Sequence, residues 1–72
     1  MGGRTLNKQQ RDALFRMRHR KRSDLRALKD SGVSEAEMED LVDGGYVEIV
    51  DHRHLAWALT AMGKRWVDRN LA

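Results

Sequence analysis

The stretch SGVSEAEMEDLVDGGYVEIV, residues 31–50, changes its periodicity halfway along, and that change decides the fold. Ser34 is an N-cap and Glu37 stands three residues on, a capping box whose side chains satisfy amides that the first helical turn leaves unpaired. A helix therefore starts at Ser34. Met38, Leu41 and Val42 give it one narrow apolar stripe, and Gly44 and Gly45 supply the positive-φ freedom that ends it and turns the chain. Tyr46-Val-Glu-Ile-Val50 then alternates as a strand, with Val47 and Ile49 on one face and Glu48 and Val50 on the other.

Upstream of this stretch, Ser23 suits the cap of a short helix over Asp24 to Asp30, with Leu25 and Leu28 as its buried pair and Ala27 beside them. Ser31-Gly32 ends it and Val33 drops inward. Two helices joined by so short a Gly-containing turn make a helix-turn-helix unit. Thr5 or Asn7 caps an earlier helix, about Lys8 to His19, whose Ala13, Leu14 and Met17 share a face near Leu6. Phe15 falls off that stripe and either closes a secondary contact or lies at an interface. Residues 1–4 read as a flexible basic arm, and residues 5–72 as a single domain.

Downstream, Asp51-His-Arg-His54 is a polar turn and Leu55-Ala-Trp-Ala-Leu59 a return strand, although LAWAL would also suit a helix. Thr60 caps a last helix, Ala61 to Asn70, with Met62 and Trp66 facing inward and Val67 flanking them. Gly63 weakens its first turn, so a close approach by another segment is expected there. The core predicted from these patterns is Leu14, Met17, Leu25, Leu28, Val33, Met38, Leu41, Val42, Ile49, Trp57, Leu59, Met62 and Trp66.

With 72 residues the chain has room for one small core and none for a large enclosed active site. Cysteine is absent, which removes disulfides, thiolate nucleophiles and Cys-based zinc sites. No apolar run is long enough to span a membrane, and an intracellular, cytoplasmic protein is the default expectation. The net charge of +3 conceals segregation: residues 1–29 carry ten basic and two acidic side chains, residues 30–51 eight acidic and none basic. Such asymmetry steers encounters with charged partners.

The densest positive feature is Arg16-Met-Arg-His-Arg-Lys-Arg22. It reads as contact with phosphate, as contact with an acidic protein, or as a solvated helix end whose cations complement the helix dipole. Dipole compensation alone is a thin account of so many neighbouring charges. His52 and His54 with Asp51 resemble a metal trio, but their spacing across a tight turn does not fix inward geometry, and wing-tip contact or solvation is the better reading. No catalytic cleft, phosphate loop, metal or cofactor is expected, and the chain reads as a non-enzyme.

The Leu25 and Leu28 pair, Gly32-Val33-Ser34, Leu41 followed by Gly45-Tyr46-Val47-Glu48, and Leu59-Thr60 followed by Gly63 together resemble the winged helix-turn-helix domains of small transcription regulators. The resemblance covers about residues 6–70. It implies a compact α+β winged helix-turn-helix fold with three N-terminal helices, a short β-hairpin wing whose tip is Asp51 to His54, and a C-terminal helix. It also implies transcription-related regulation through DNA. In such domains the helix here starting at Ser34 enters the major groove, where Arg, Lys, Asn or Gln read bases. This helix instead offers Glu35, Glu37, Glu39, Asp40 and Asp43, a departure that argues against base reading from it.

Two readings follow. In the first, double-stranded DNA is held with low sequence specificity, mainly by its phosphates, through Lys8, Arg11, Arg16, Arg18, Arg20, Lys21 and Arg22, assisted by His52, Arg53 and His54. In the second, Glu35, Glu39, Asp40 and Asp43 dock onto a basic protein surface in transcription or nucleic-acid processing machinery, such as a polymerase or nuclease. Neither reading involves a membrane, and a homodimer is compatible with both.

Overall fold

Two interlocked capping boxes start the N-terminal half of the fold. The computed structural model describes residues 5–71; the expected arm at 1–4 lies outside them. Asn7 caps α1 (Lys8–Met17): its Oδ1 accepts from the Gln10 N–H at 2.8 Å, and Gln10 Oε1 accepts from the Asn7 N–H at 3.1 Å. Ser34 caps α2 (Glu35–Asp43) in the same way, through Glu37. The boxes are tied to each other. Asn7 Nδ2 donates to the Glu37 carboxylate, and Gln10 Nε2 donates to the Glu37 carbonyl at 3.0 Å.

The end of α2 satisfies its carbonyls as a left-handed glycine cap does. Gly45 sits at φ +85, its N–H donates to Val42 O at 3.0 Å, and the Tyr46 N–H donates to Leu41 O at 2.9 Å. The chain then enters a three-stranded antiparallel sheet of β1 (Ser23–Asp24), β2 (Val47–Asp51) and β3 (Ala56–Leu59), ordered β1-β3-β2. Val47 pairs with Leu59 and Ile49 with Trp57, but Asp51 pairs with Ala56, so Val50 is an extra residue that bulges the strand and stands 44% exposed. The turn is held by Asp51 Oδ1, which accepts from the Arg53 and His54 N–H groups at 3.0 and 3.1 Å. Leu55 belongs to this turn and not to the strand; it takes φ +52, a left-handed conformation unusual for leucine, while its side chain packs against the core.

The expected helix over Asp24–Asp30 is not formed. Ser23 and Asp24 pair with Trp57 and Ala56 as strand β1, and the following residues make a turn that becomes one 3-10 turn at Lys29–Ser31. Seven residues are too few to be helical without packing, and sheet pairing takes the first of them. Asp24, not Ser23, is the local cap, accepting from the Ala27 N–H at 2.9 Å. The architecture is therefore a mixed α+β domain with three α-helices and a small antiparallel sheet.

The third helix, α3 (Ala61–Leu71), is rotated from the expected phase. Thr60 caps it, accepting from the Gly63 N–H at 3.1 Å, while Thr60 Oγ1 also donates to Gly45 O and the Thr60 N–H to Tyr46 O. Gly63 and Val67 form the inward stripe. Met62, predicted to be core, is 42% exposed, because the helix approaches the sheet at Gly63, where there is no Cβ, and this turns its larger neighbours to the rim. Trp66 is half-buried there, with its ring 5.4 Å from Phe15 and 6.3 Å from Tyr46.

Leu14, Met17, Leu28, Val33, Met38, Leu41, Trp57 and Leu59 form the core as expected, joined by Ala13, Val47 and Val67. Leu25, Val42 and Ile49 are only half-buried around it. No helix among the described residues is long and apolar enough to cross a membrane.

Candidate nucleic-acid interface

The basic run leaves α1 and feeds β1, so pairing of β1 with β3 fixes where its charges lie. Arg18 is the C-cap of α1, the Arg20 N–H donates to Met17 O at 3.1 Å, and Arg18 to Arg22 are all exposed. Arg18, His19, Arg20 and Lys21 line a groove of about 490 Å³. Lys64 of α3 lines it too, with Glu48 and Ala58 of the sheet among the other lining residues. The helical spacing of Lys8, Arg11 and Arg18 sets them along one side of α1, with Lys8 and Arg11 also exposed.

Two members of the run have acidic partners. Arg16 Nε lies 3.2 Å from Asp12 one turn earlier, and Arg22 lies 3.8 Å from Asp51 at the hairpin. Arg18, Arg20 and Lys21 form no ion pair among the described residues. The expected ten-residue cationic surface thus has an unpaired centre at Arg18, Arg20 and Lys21.

The hairpin turn meets one end of this surface. Arg20, Arg22, Asp51 and His54 line a second groove of about 390 Å³, which brings His54 beside the run, whereas His52 and Arg53 are exposed without lining either groove. Asp51 also takes the His54 ring, Nδ1 to Oδ2 at 3.1 Å. The His54 N–H bound to its carboxylate, and next the His54 side chain, hold the Asp51 pKa below the ordinary carboxylate value. Among the described residues no three His, Asp or Glu side chains are grouped as metal ligands.

The acidic side chains of α2 divide into two sets. Glu37 accepts from the Ser34 N–H at 2.8 Å and from Asn7, and these bonds, the Ser34 amide foremost, lower its pKa. It is a structural residue. Glu35, Glu39, Asp40 and Asp43 are exposed, and Glu35, Glu39 and Asp43 form no ion pair among the described residues.

Lys64 was absent from the sequence-derived set. Nothing local in the sequence marks it, because its place in the groove depends on the packing of α3. No protein-family model, curated protein or solved structure matches this chain.

Proposed function

We propose that the chain is a winged helix-turn-helix, transcription-related regulator without enzymatic activity, which grips duplex DNA by its phosphates through Arg18, Arg20 and Lys21. The element order supports this reading: a helix, a short edge strand, a turn leading into a capped helix, a hairpin and a closing helix, with the edge strand paired to the second hairpin strand. The observation that carries it is the cationic centre, without ion pairs among the described residues, at a groove that Lys64 also lines. Cations so crowded repel one another, and a row of phosphates offsets that repulsion while releasing counterions. Glu48 in the same groove keeps the phosphates toward the rim. Contacts of this kind give affinity with little base choice.

The test is duplex binding at several salt concentrations by the triple variant Arg18→Ala, Arg20→Ala, Lys21→Ala. Each lost phosphate contact removes about 0.9 from the slope of log K against log salt, so the expected loss is about 2.7. An unchanged slope would sink the proposal.

A second reading rests on α2, where Glu35, Glu39 and Asp43 are exposed and without ion-pair partners among the described residues, and Asp40 is exposed beside them. Here the acidic face docks onto a basic surface of a polymerase or nuclease. Charge reversal at Glu39 and Asp43 removes capture of such a partner while leaving duplex binding intact; retained capture would exclude this reading.

A further inference from the structure

We propose that the outer face of α3 is a separate binding site for single-stranded nucleic acid, in which Trp66 stacks on a base, Tyr46 borders that base, and Arg65 and Arg69 hold the adjoining phosphates. Met62, Arg65, Trp66 and Arg69 follow the i, i+3, i+4, i+7 spacing, which places them on one helix face. That face and Tyr46 line a cleft of about 230 Å³. It is below the roughly 300 Å³ at which drug-sized ligands begin to fit, and suits a single planar ring system.

Three features point to this ligand. Arg65 and Arg69 are like charges one turn apart, an arrangement that destabilises a helix, and neither has an ion-pair partner among the described residues. Among the described residues no acidic side chain lines the cleft, so its charge complement is an anion. Met62 is 42% exposed beside a half-buried Trp66, whose ring is braced by Phe15 and, edge-on, by Tyr46. Braced aromatic rings flanked by arginines accept any base by its π-face, and in a duplex those faces are covered by neighbouring bases. The site does not rest on the duplex grip of Arg18, Arg20 and Lys21, because no residue is shared.

The test uses the whole chain and a ten-nucleotide oligo-dT, read by tryptophan fluorescence. Trp57 is fully buried, so quenching by the oligonucleotide reports on Trp66. Wild type and the Arg18→Ala, Arg20→Ala, Lys21→Ala variant should both be quenched. The Arg65→Ala, Arg69→Ala variant, altered only at exposed positions, should bind with a salt slope smaller by about 1.4, two single-strand phosphates. An abasic strand of the same length should bind at least about fivefold more weakly, the loss of one stacked base. Absence of quenching, an unchanged slope, or equal binding of the abasic strand would each overturn the site. So would sedimentation showing that wild type self-associates and Met62→Glu does not, since the face would then be covered by a second copy.

Discussion

Gly63 approaches Tyr46 so closely that a Cβ on the glycine would lie 2.0 Å from the Tyr46 carbonyl oxygen. That oxygen also accepts the Thr60 N–H at 3.1 Å, so it cannot move away without releasing the helix cap. In an unconstrained helix Gly63→Ala would gain about 1 kcal/mol of helix propensity. Here overpacking against backbone reverses the sign. Gly63→Ala should lose about 3 kcal/mol in urea denaturation, and a neutral or stabilising result would contradict the contact.

Glu37 joins the two capping boxes, and its replacement tests both. Gln at this position can still accept one hydrogen bond, but its amide nitrogen then meets Asn7 Nδ2, a donor against a donor. Glu37→Gln should cost about 1 kcal/mol at neutral pH. The sign of the pH dependence follows from the lowered folded pKa: the carboxylate's stabilisation is complete above its ordinary value of 4.5 and is lost as pH falls through the lower folded value. The gap between wild type and variant in thermal melts should therefore close in acid. A gap independent of pH would remove the ionised carboxylate from the account.

Two buried serines should respond in opposite ways. Ser31 Oγ donates to Leu28 O at 2.6 Å and accepts from the Val33 N–H at 3.2 Å, so Ser31→Ala should lose about 1 to 2 kcal/mol. Ser23 Oγ, buried opposite Trp57, has no hydrogen-bond partner among the described residues, and neither has Trp57 Nε1. Ser23→Ala should stay within about 0.5 kcal/mol of wild type. Equal losses in chemical denaturation would show that the Ser23 hydroxyl is bonded after all.

Ion pairing within the molecule should grade the arginines. Arg16 is engaged by Asp12, whereas Arg18 has no ion-pair partner among the described residues. In duplex titrations at one salt concentration, Arg18→Ala should weaken binding more than Arg16→Ala. The reverse order would shift the grip toward the middle of α1.

The Ser34–Glu37 capping box, the glycine stop and the strand alternation were legible in the chain because each depends on residues within a few positions. Ser34 with Glu37, Gly45 before Tyr46, and Thr60 before Gly63 all act where their spacing placed them. The failures lie where distant segments decide. Ser23 and Asp24 look like a helix start until β3 claims them as a strand, and nothing local announces that pairing. The phase of α3 was misread for a related reason: Met62 and Trp66 are the larger apolar residues, but the glycine's approach to Tyr46 turned Val67 inward instead. The cationic run was visible from composition, whereas its pairing at Arg16 and Arg22 and the place of Lys64 in the same groove required the fold.

The most direct measurement of the central claim is an amide NMR titration of the whole chain with generic duplex DNA at two salt concentrations. The predicted result is shifts centred on residues 18–21, extending to Lys64 and His54 and shrinking at the higher salt. Silence at Arg18, Arg20 and Lys21, with shifts confined to α2 or absent, would contradict it.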